Sequence, residues 1–324
     1  MKQRYLSLDI IRGIALFGIL LINISSYGAS LNDLESSLGL PSTFKGNTLD
    51  MLIAVLIEKK FYAMFSFLFG VGFFIFASRA EAKGLNPLRL FTRRLFFLFL
   101  FGLAHLYFFW GSILSFYAIY GLALLPFYRR KTSTIALVMA LLFIANCLLG
   151  MDDLIILLMF LTGLWFGKKG LLVPNESTKN FLQRVAQVSV PIALAGGVIT
   201  AVTYGNDVEF TMYIVAVFAV PTTFSYLALL FLVFNQQRAA QLAMPIARVG
   251  QMAFTNYLMQ NILGVGLLAL FGITAVTTVQ VLWLAPLIYG IEVVWSWLYF
   301  KRFRMGPFEW LWRKCTYGRG FTVT

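Results

Sequence analysis

Four ionisable residues interrupt stretches that are otherwise apolar: Asp9, Arg12, His105 and Glu292. Such groups inside a membrane segment normally face a bundle interior or a wet cavity, which makes them functional candidates. Asp9 and Arg12 stand three apart in "LSLDIIRGIALFGILLINI", on one helix face and within ion-pair reach. Asn23 follows Arg12 by eleven residues, close to three turns or about 16 Å of rise, so all three share a stripe. His105 is the only histidine and follows Arg94 by the same eleven-residue step, which sets it near the middle of a membrane about 30 Å thick. An imidazole there is suited to general-base chemistry. Glu292 lies eight residues before the end of the last apolar run, and Asn256 and Gln260 sit at i and i+4 on the run before it. These three can form one polar cluster with Arg12 at a similar depth. Plainer readings stand beside these: Asp9 and Arg12 neutralising each other, Arg12 snorkelling, and His105, Asn256 and Gln260 acting as interhelical hydrogen-bonding groups.

The chain has no Walker loop, GxSxG, HExxH, CxxC, EF-hand loop or strand-associated Rossmann glycine pattern, and a lone histidine offers no metal cluster. The two cysteines, Cys147 in an apolar run and Cys315 in a basic tail, suggest no disulfide framework.

The elements that must carry these groups are membrane helices. Of 324 residues, 60% are hydrophobic and only 12% charged, and the mean hydropathy is +0.82. A soluble domain is about a quarter charged, so this composition belongs to the membrane class. Ten candidate spans follow: 8–27, 61–78, 95–110, 113–127, 132–150, 154–167, 185–205, 210–234, 253–272 and 279–300, the sixth being short. The first retains Asp9 and Arg12 and is followed by further long apolar runs, so it reads as a helix rather than a cleaved leader. Lys and Arg crowd alternate loops. Lys2, Arg4, Arg79, Arg94, Arg129, Lys168, Arg238 and the tail to Arg319 fall on one side; the other holds Lys45, Lys59 and Lys60 with Asp33, Glu35, Asp50, Glu58, Asp152 and Asp153. This alternation predicts both termini in the cytoplasm. It also accounts for the net charge of +13 without any nucleic-acid partner.

The expected architecture is therefore all-α, a polytopic transmembrane helix bundle of about ten spans, a single membrane-embedded domain over 1–324. Two elements lie outside the spans. "NTLDMLIAVLIEKK" reads as an outer interfacial helix. The tail 301–324 reads as a cytoplasmic anchor at the headgroups through Trp310, Trp312 and its cations, with Pro307 in the first turn of a helix. In "FGVGFFIF", Gly70 and Gly72 predict close helix packing. Past His105 the segment "WGSIL" breaks toward the outer surface, with Ser112 expected about two turns above the imidazole.

The runs "LSLDIIRGIALFGILLINI", "KKFYAMFSFLFGVGFFIF", "RRLFFLFLFGLAHLYFFWGSIL", "FLTGLWFGKKGLL", "VGQMAFTNYLMQNIL" and "RFRMGPFEWLWRKCTYG" resemble, in order, the motifs of YeiB-like bacterial membrane proteins, the domain of unknown function 418. The opening helix is also similar to that of the transmembrane acyltransferase superfamily. Its members begin with an arginine in the first span, and many carry a histidine eleven positions later. Asn23 occupies that position here, as asparagine does in the branch resembling heparan-glucosaminide acetyltransferases, whose working histidine lies elsewhere. The resemblance thus implies His105 as the base, and an aspartate where this chain has Ser112; losing that carboxylate weakens an Asp–His relay.

Three functions are expected from these features. In the first, an acyltransferase of the bacterial inner membrane binds a cytosolic acyl thioester such as acyl-CoA through Arg12, with Asp9, Asn23, Arg94, Asn256 and Glu292 shaping its site. His105 then deprotonates a small-molecule, lipid or glycan acceptor. In the second, a transporter or lipid-handling protein uses Asp9, Arg12 and Glu292 along a path. In the third, the chain is a non-catalytic membrane partner. Membrane lipids surround it in each, and no bound cofactor is expected.

Overall fold

Short polar signals between the apolar runs start most of the helices. In this computed structural model, which describes residues 5–27, 47–109 and 111–318, Asn47, Asn86, Asn175 and Asp207 each accept the backbone N–H of the third residue of the helix that follows. These caps open α2 (Thr48–Leu56), α4 (Pro87–Phe108), α8 (Glu176–Thr203) and α9 (Val208–Phe234). Thr277 and Gln280 form a capping box on α13 (Thr278–Arg302). The remaining helices are α1 (Leu6–Asn23), α3 (Lys60–Glu81), α5 (Leu114–Gly121), α6 (Thr132–Leu149) and α7 (Asp152–Lys168). Later in the chain come α10 (Gln237–Leu242), α11 (Met244–Gln251), α12 (Ala253–Leu270) and α14 (Pro307–Tyr317). As the sequence predicts, Pro307 occupies the first turn of α14. Lys2, Arg4, Asp33, Glu35, Lys45, Trp110 and Arg319 lie outside the described residues.

The described chain is all-helical, and eight of its helical runs are long and apolar enough to cross a membrane. Two of the ten expected spans correspond to shorter pieces: 113–127 to the apolar run Leu114–Leu124, and 154–167 to α7, which has 17 residues. α1 is the most enclosed of the long helices and α6 the least. α1 packs against α3, α9, α11, α12 and α13, so the stripe bearing Asp9 and Arg12 runs through the centre of the bundle.

Glycines set the closest approaches. A Cβ on Gly70 would sit 2.0 Å from the Phe160 carbonyl oxygen, and one on Gly163 would sit 2.1 Å from that of Phe67, so α3 and α7 touch backbone to backbone. Gly72 differs from the expectation. A Cβ there meets nothing within 4 Å, because this face of α3 borders a cavity instead of a helix.

Contacts join like ends, as the charge alternation implies. Lys59 pairs with Asp152, Thr278 with Asp50, and Tyr120 with Asp153 at one end. At the other, the Arg94 carbonyl accepts from Trp312, and Tyr128 donates to Glu81.

Candidate functional site

A cavity of about 250 Å³ runs inside the bundle between α1, α3, α4, α5, α11, α12 and α14. Arg12, Arg94, Gly250, Gln251, Glu309 and Trp312 line its basic end. Ile19, Phe65, Leu68, Phe69, Gly72, Phe73, Phe91 and Leu98 form the walls, and Ile113, Leu114, Tyr117 and Tyr257 close the far end. On α3, residues 65, 68, 69, 72 and 73 follow helical spacing, so one continuous stripe faces the space.

At the basic end Arg12 is held by its own helix and by a neighbour. Nη1 donates to Asp9 Oδ1 at 3.1 Å and to the Gly250 carbonyl at 3.4 Å. Only glycine permits the second contact: a Cβ on Gly250 would lie 1.8 Å from the Asp9 carbonyl oxygen. Arg94 is held differently. Its guanidinium lies 3.6 Å from the Trp312 ring centroid and 5.2 Å from that of Phe76, and Trp312 Nε1 donates to the Arg94 carbonyl at 2.9 Å. Among the described residues no carboxylate lies within ion-pair distance of Arg94.

Glu309 reaches across from α14 to the start of α12, which has no side-chain cap of its own. Its carboxylate accepts from the backbone N–H of Phe254 (2.8 Å) and of Thr255 (3.1 Å), and from Thr255 Oγ1 (2.6 Å). A carboxylate on a helix N-terminus is favourable in charge as well as in hydrogen bonding. Burial nevertheless raises the Glu309 carboxyl above its ordinary value, with these hydrogen bonds opposing the rise.

The far end gathers around one phenol. The Tyr257 hydroxyl accepts from the Ile113 N–H at 3.5 Å, with the side chains of Ser112 and Asn23 nearby. The His105 ring centroid is 5.3 Å from that of Tyr257, and His105 Nδ1 meets Ser112 Oγ at 2.9 Å. The other ring nitrogen, Nε2, is buried without a hydrogen-bond partner. Ser112 therefore does not sit two turns above His105. α4 stops at Phe108, Phe109 is extended, and the chain folds back beside the imidazole. Gly102 permits the fold-back, since a Cβ there would be 2.4 Å from the Ser115 nitrogen.

Of the residues singled out in the sequence, Arg12 and Arg94 line the cavity, Asp9 braces Arg12, and Asn23 and His105 stand directly behind Tyr257. Asn256 and Glu292 do not join Arg12. They belong to a separate seam between α12 and α13, where Asn256 Nδ2 donates to Ser296 Oγ at 2.9 Å and Gln260 Nε2 to Glu292 Oε2 at 3.0 Å. The break between α11 and α12 at Met252 sets that rotation, turning Phe254 and Tyr257 to the cavity and Asn256 and Gln260 away from it. Sequence reasoning missed Tyr257, Gly250 and Glu309, and it assigned Trp312 to the headgroups when it walls the cavity. Trp310, by contrast, remains exposed.

An all-helical bundle with eight helical runs long and apolar enough to cross a membrane, and a cavity among them, defines an integral membrane protein. The chain belongs to the DUF418 family, whose description is "Protein of unknown function" and whose profile matches residues 166–319. That match covers α8 to α14 and leaves out Arg12, Arg94 and His105. Full-length relatives cover them. The uncharacterized 39.9 kDa protein in the amylase 3′ region of Bacillus acidopullulyticus is 32% identical over 351 residues, spanning 100% of this chain and 96% of that protein. The uncharacterized protein YxaH of Bacillus subtilis (strain 168) is 30% identical over 98% of this chain and 95% of its own. The uncharacterized protein YeiB of Escherichia coli (strain K12) is 26% identical over 97% and 96%. No solved structure matches.

Proposed function

We propose that this protein is an acyltransferase of the bacterial plasma membrane, moving an acyl group from a cytosolic acyl thioester to an acceptor hydroxyl or amine on the outer side. One observation carries this reading: a single cavity leads from two guanidinium groups to a phenol that abuts a histidine–serine pair. Its walls run from Arg12 to Ile19 on α1, about 10 Å of rise, with Tyr257 at their far end.

In this mechanism the donor's phosphate rests on Arg94 and Arg12, its arm threads the aromatic walls, and the thioester carbonyl reaches Tyr257. The Tyr257 hydroxyl, already accepting from Ile113, donates its own proton as a hydrogen bond to the carbonyl oxygen as negative charge develops there. His105 Nε2 takes the acceptor's proton while Ser112 fixes the ring through Nδ1. The new acyl–oxygen or acyl–nitrogen bond forms, the carbon–sulfur bond breaks, and the leaving thiolate receives the proton from the imidazolium. Asn256 and Glu292 hold α12 against α13 and do not touch the donor.

Purified protein in detergent, supplied with radiolabelled acyl-CoA and a membrane lipid and glycan extract, tests this. Labelled acceptor is expected from the wild type. His105→Ala is expected to abolish transfer while retaining coenzyme A binding. Transfer that survives His105→Ala unchanged, or a wild type that does not bind coenzyme A, refutes the reading.

A further inference from the structure

The α12–α13 seam has more buried acceptors than donors. Asn256 and Gln260 are 0% exposed and Glu292 is 1% exposed. Asn256 Nδ2 donates to the Val249 carbonyl and to Ser296 Oγ, and Gln260 Nε2 donates to Glu292 Oε2. Because a carbonyl oxygen only accepts, the Asn256 amide is fixed with its nitrogen toward Val249 and its oxygen turned away. Three oxygens are then buried with no partner: Asn256 Oδ1, Gln260 Oε1 and Glu292 Oε1.

Spacing places them on neighbouring rungs: Asn256 and Gln260 are four apart on α12, and Ser296 and Glu292 four apart on α13, so the two cross-helix hydrogen bonds lie about 6 Å apart along the helices. No lysine, arginine or histidine among the described residues is ion-paired with Glu292. The titratable groups that feel its charge are the phenols of Tyr27 and Tyr289.

We propose that this seam is a binding site for a single alkali-metal cation, held by Glu292 Oε1, Gln260 Oε1 and Asn256 Oδ1 with Ser296 Oγ beside them. Carboxylate, amide and hydroxyl oxygens are the donors that hard cations take. The set carries one negative charge, so a monovalent ion leaves the seam neutral, whereas a divalent ion leaves a buried positive charge with no partner. A proton on Glu292 would satisfy Glu292 and Gln260 but leave Asn256 Oδ1 unmet; a cation satisfies all three. The site is separate from the cavity, yet Tyr257 is the residue after Asn256, so an ion here also fixes the helix that carries the phenol.

Thermal unfolding of the purified full-length protein in one detergent, at constant ionic strength, tests the proposal with NaCl, KCl, LiCl and choline chloride. The midpoint is expected to rise with the concentration of one alkali cation over choline. Mass action predicts a saturating rise as the ion passes its dissociation constant. Glu292→Gln and Asn256→Leu are each expected to abolish that rise. Midpoints equal in all four salts mean that Glu292 is satisfied by a proton, and overturn the proposal, as does a cation effect that both variants keep. Should Glu292→Gln fail to fold, Asn256→Leu decides alone, because a proton on Glu292 does not need Asn256.

Discussion

Replacing Gly70 by alanine would put a Cβ 2.0 Å from the Phe160 carbonyl oxygen and 3.1 Å from the Leu164 nitrogen, backbone atoms of α7 that cannot turn aside. Tolerable contacts start near 3.0 Å, so α3 and α7 must part by about 1 Å at this point. A gap of that size forfeits roughly a quarter to a half of each affected dispersion contact, and overpacking of this kind costs about 1–3 kcal/mol. Two residues on, Gly72→Ala meets nothing within 4 Å and gains about 0.5–1 kcal/mol of helix propensity. That gain applies at both positions, so the difference between the variants isolates the clash at about 1–3 kcal/mol. Thermal unfolding midpoints in one detergent are expected to fall in the order Gly72→Ala, wild type, Gly70→Ala. Gly72→Leu extends the test to function: it should unfold near the wild-type temperature but lose coenzyme A binding, because the leucine projects into the cavity. Equal or reversed midpoints for the two alanine variants refute the α3–α7 interlock. Unimpaired binding by Gly72→Leu refutes the donor's path along this face.

Arg94→Gln keeps much of the volume and removes the charge that stacks on Trp312. Losing a charge-assisted contact of about 1.5–3 kcal/mol should weaken coenzyme A binding roughly tenfold to a hundredfold, read by equilibrium binding. Tyr257→Phe retains the ring against His105 but loses the hydroxyl. It should lower kcat by at least tenfold with little change in donor affinity, which steady-state kinetics separates. Glu309 has a raised folded-state value, so the native protein binds its proton more tightly than the unfolded chain does. Stability from this group is therefore greatest below the ordinary carboxyl value of 4.5 and falls as pH rises through the higher folded value. Glu309→Gln should flatten that fall in a comparison of unfolding midpoints across pH, and a wild-type profile matching the variant's would contradict it.

Helix positions were legible from hydropathy, but not every start: the expected spans open at 95 and 185, whereas the helices begin at Pro87 and Glu176, where polar first turns capped by Asn86 and Asn175 extend them beyond the apolar run. Which face of each helix turns inward was not legible. Helices apolar on all sides carry little periodicity, so nothing in "FTNYLMQN" shows that Tyr257 faces a cavity while Asn256 and Gln260 face α13. The Ser112–His105 contact depends on an extended residue at Phe109, and no residue type there announces the fold-back. Trp312 carried a misleading signal. Its type suits a headgroup belt, but it turns inward over Arg94.

The bundle treats its charges unequally, and that inequality supports the donor site proposed above. Arg12 has Asp9 and a backbone carbonyl, and Glu309 has the N-terminus of α12. Arg94 has rings against its guanidinium and the charge of Glu309 only at a distance beyond ion pairing. A cation over an aromatic face gains about 2 kcal/mol when desolvated, whereas withdrawing an ion from water costs several. Rings and a distant carboxylate compensate Arg94 less than Asp9 and a carbonyl compensate Arg12, and Arg94 lines the cavity. The phosphate of the proposed donor would add the missing charge there, beside Arg12. If the seam further along α12 were the donor site, the converse would hold. The excess there is of acceptor oxygens around a carboxylate, which repels a phosphate and attracts a cation. One molecule would not satisfy both places, so the proposed donor end of the cavity and the proposed cation seam would be two sites of opposite sign on either side of one helix.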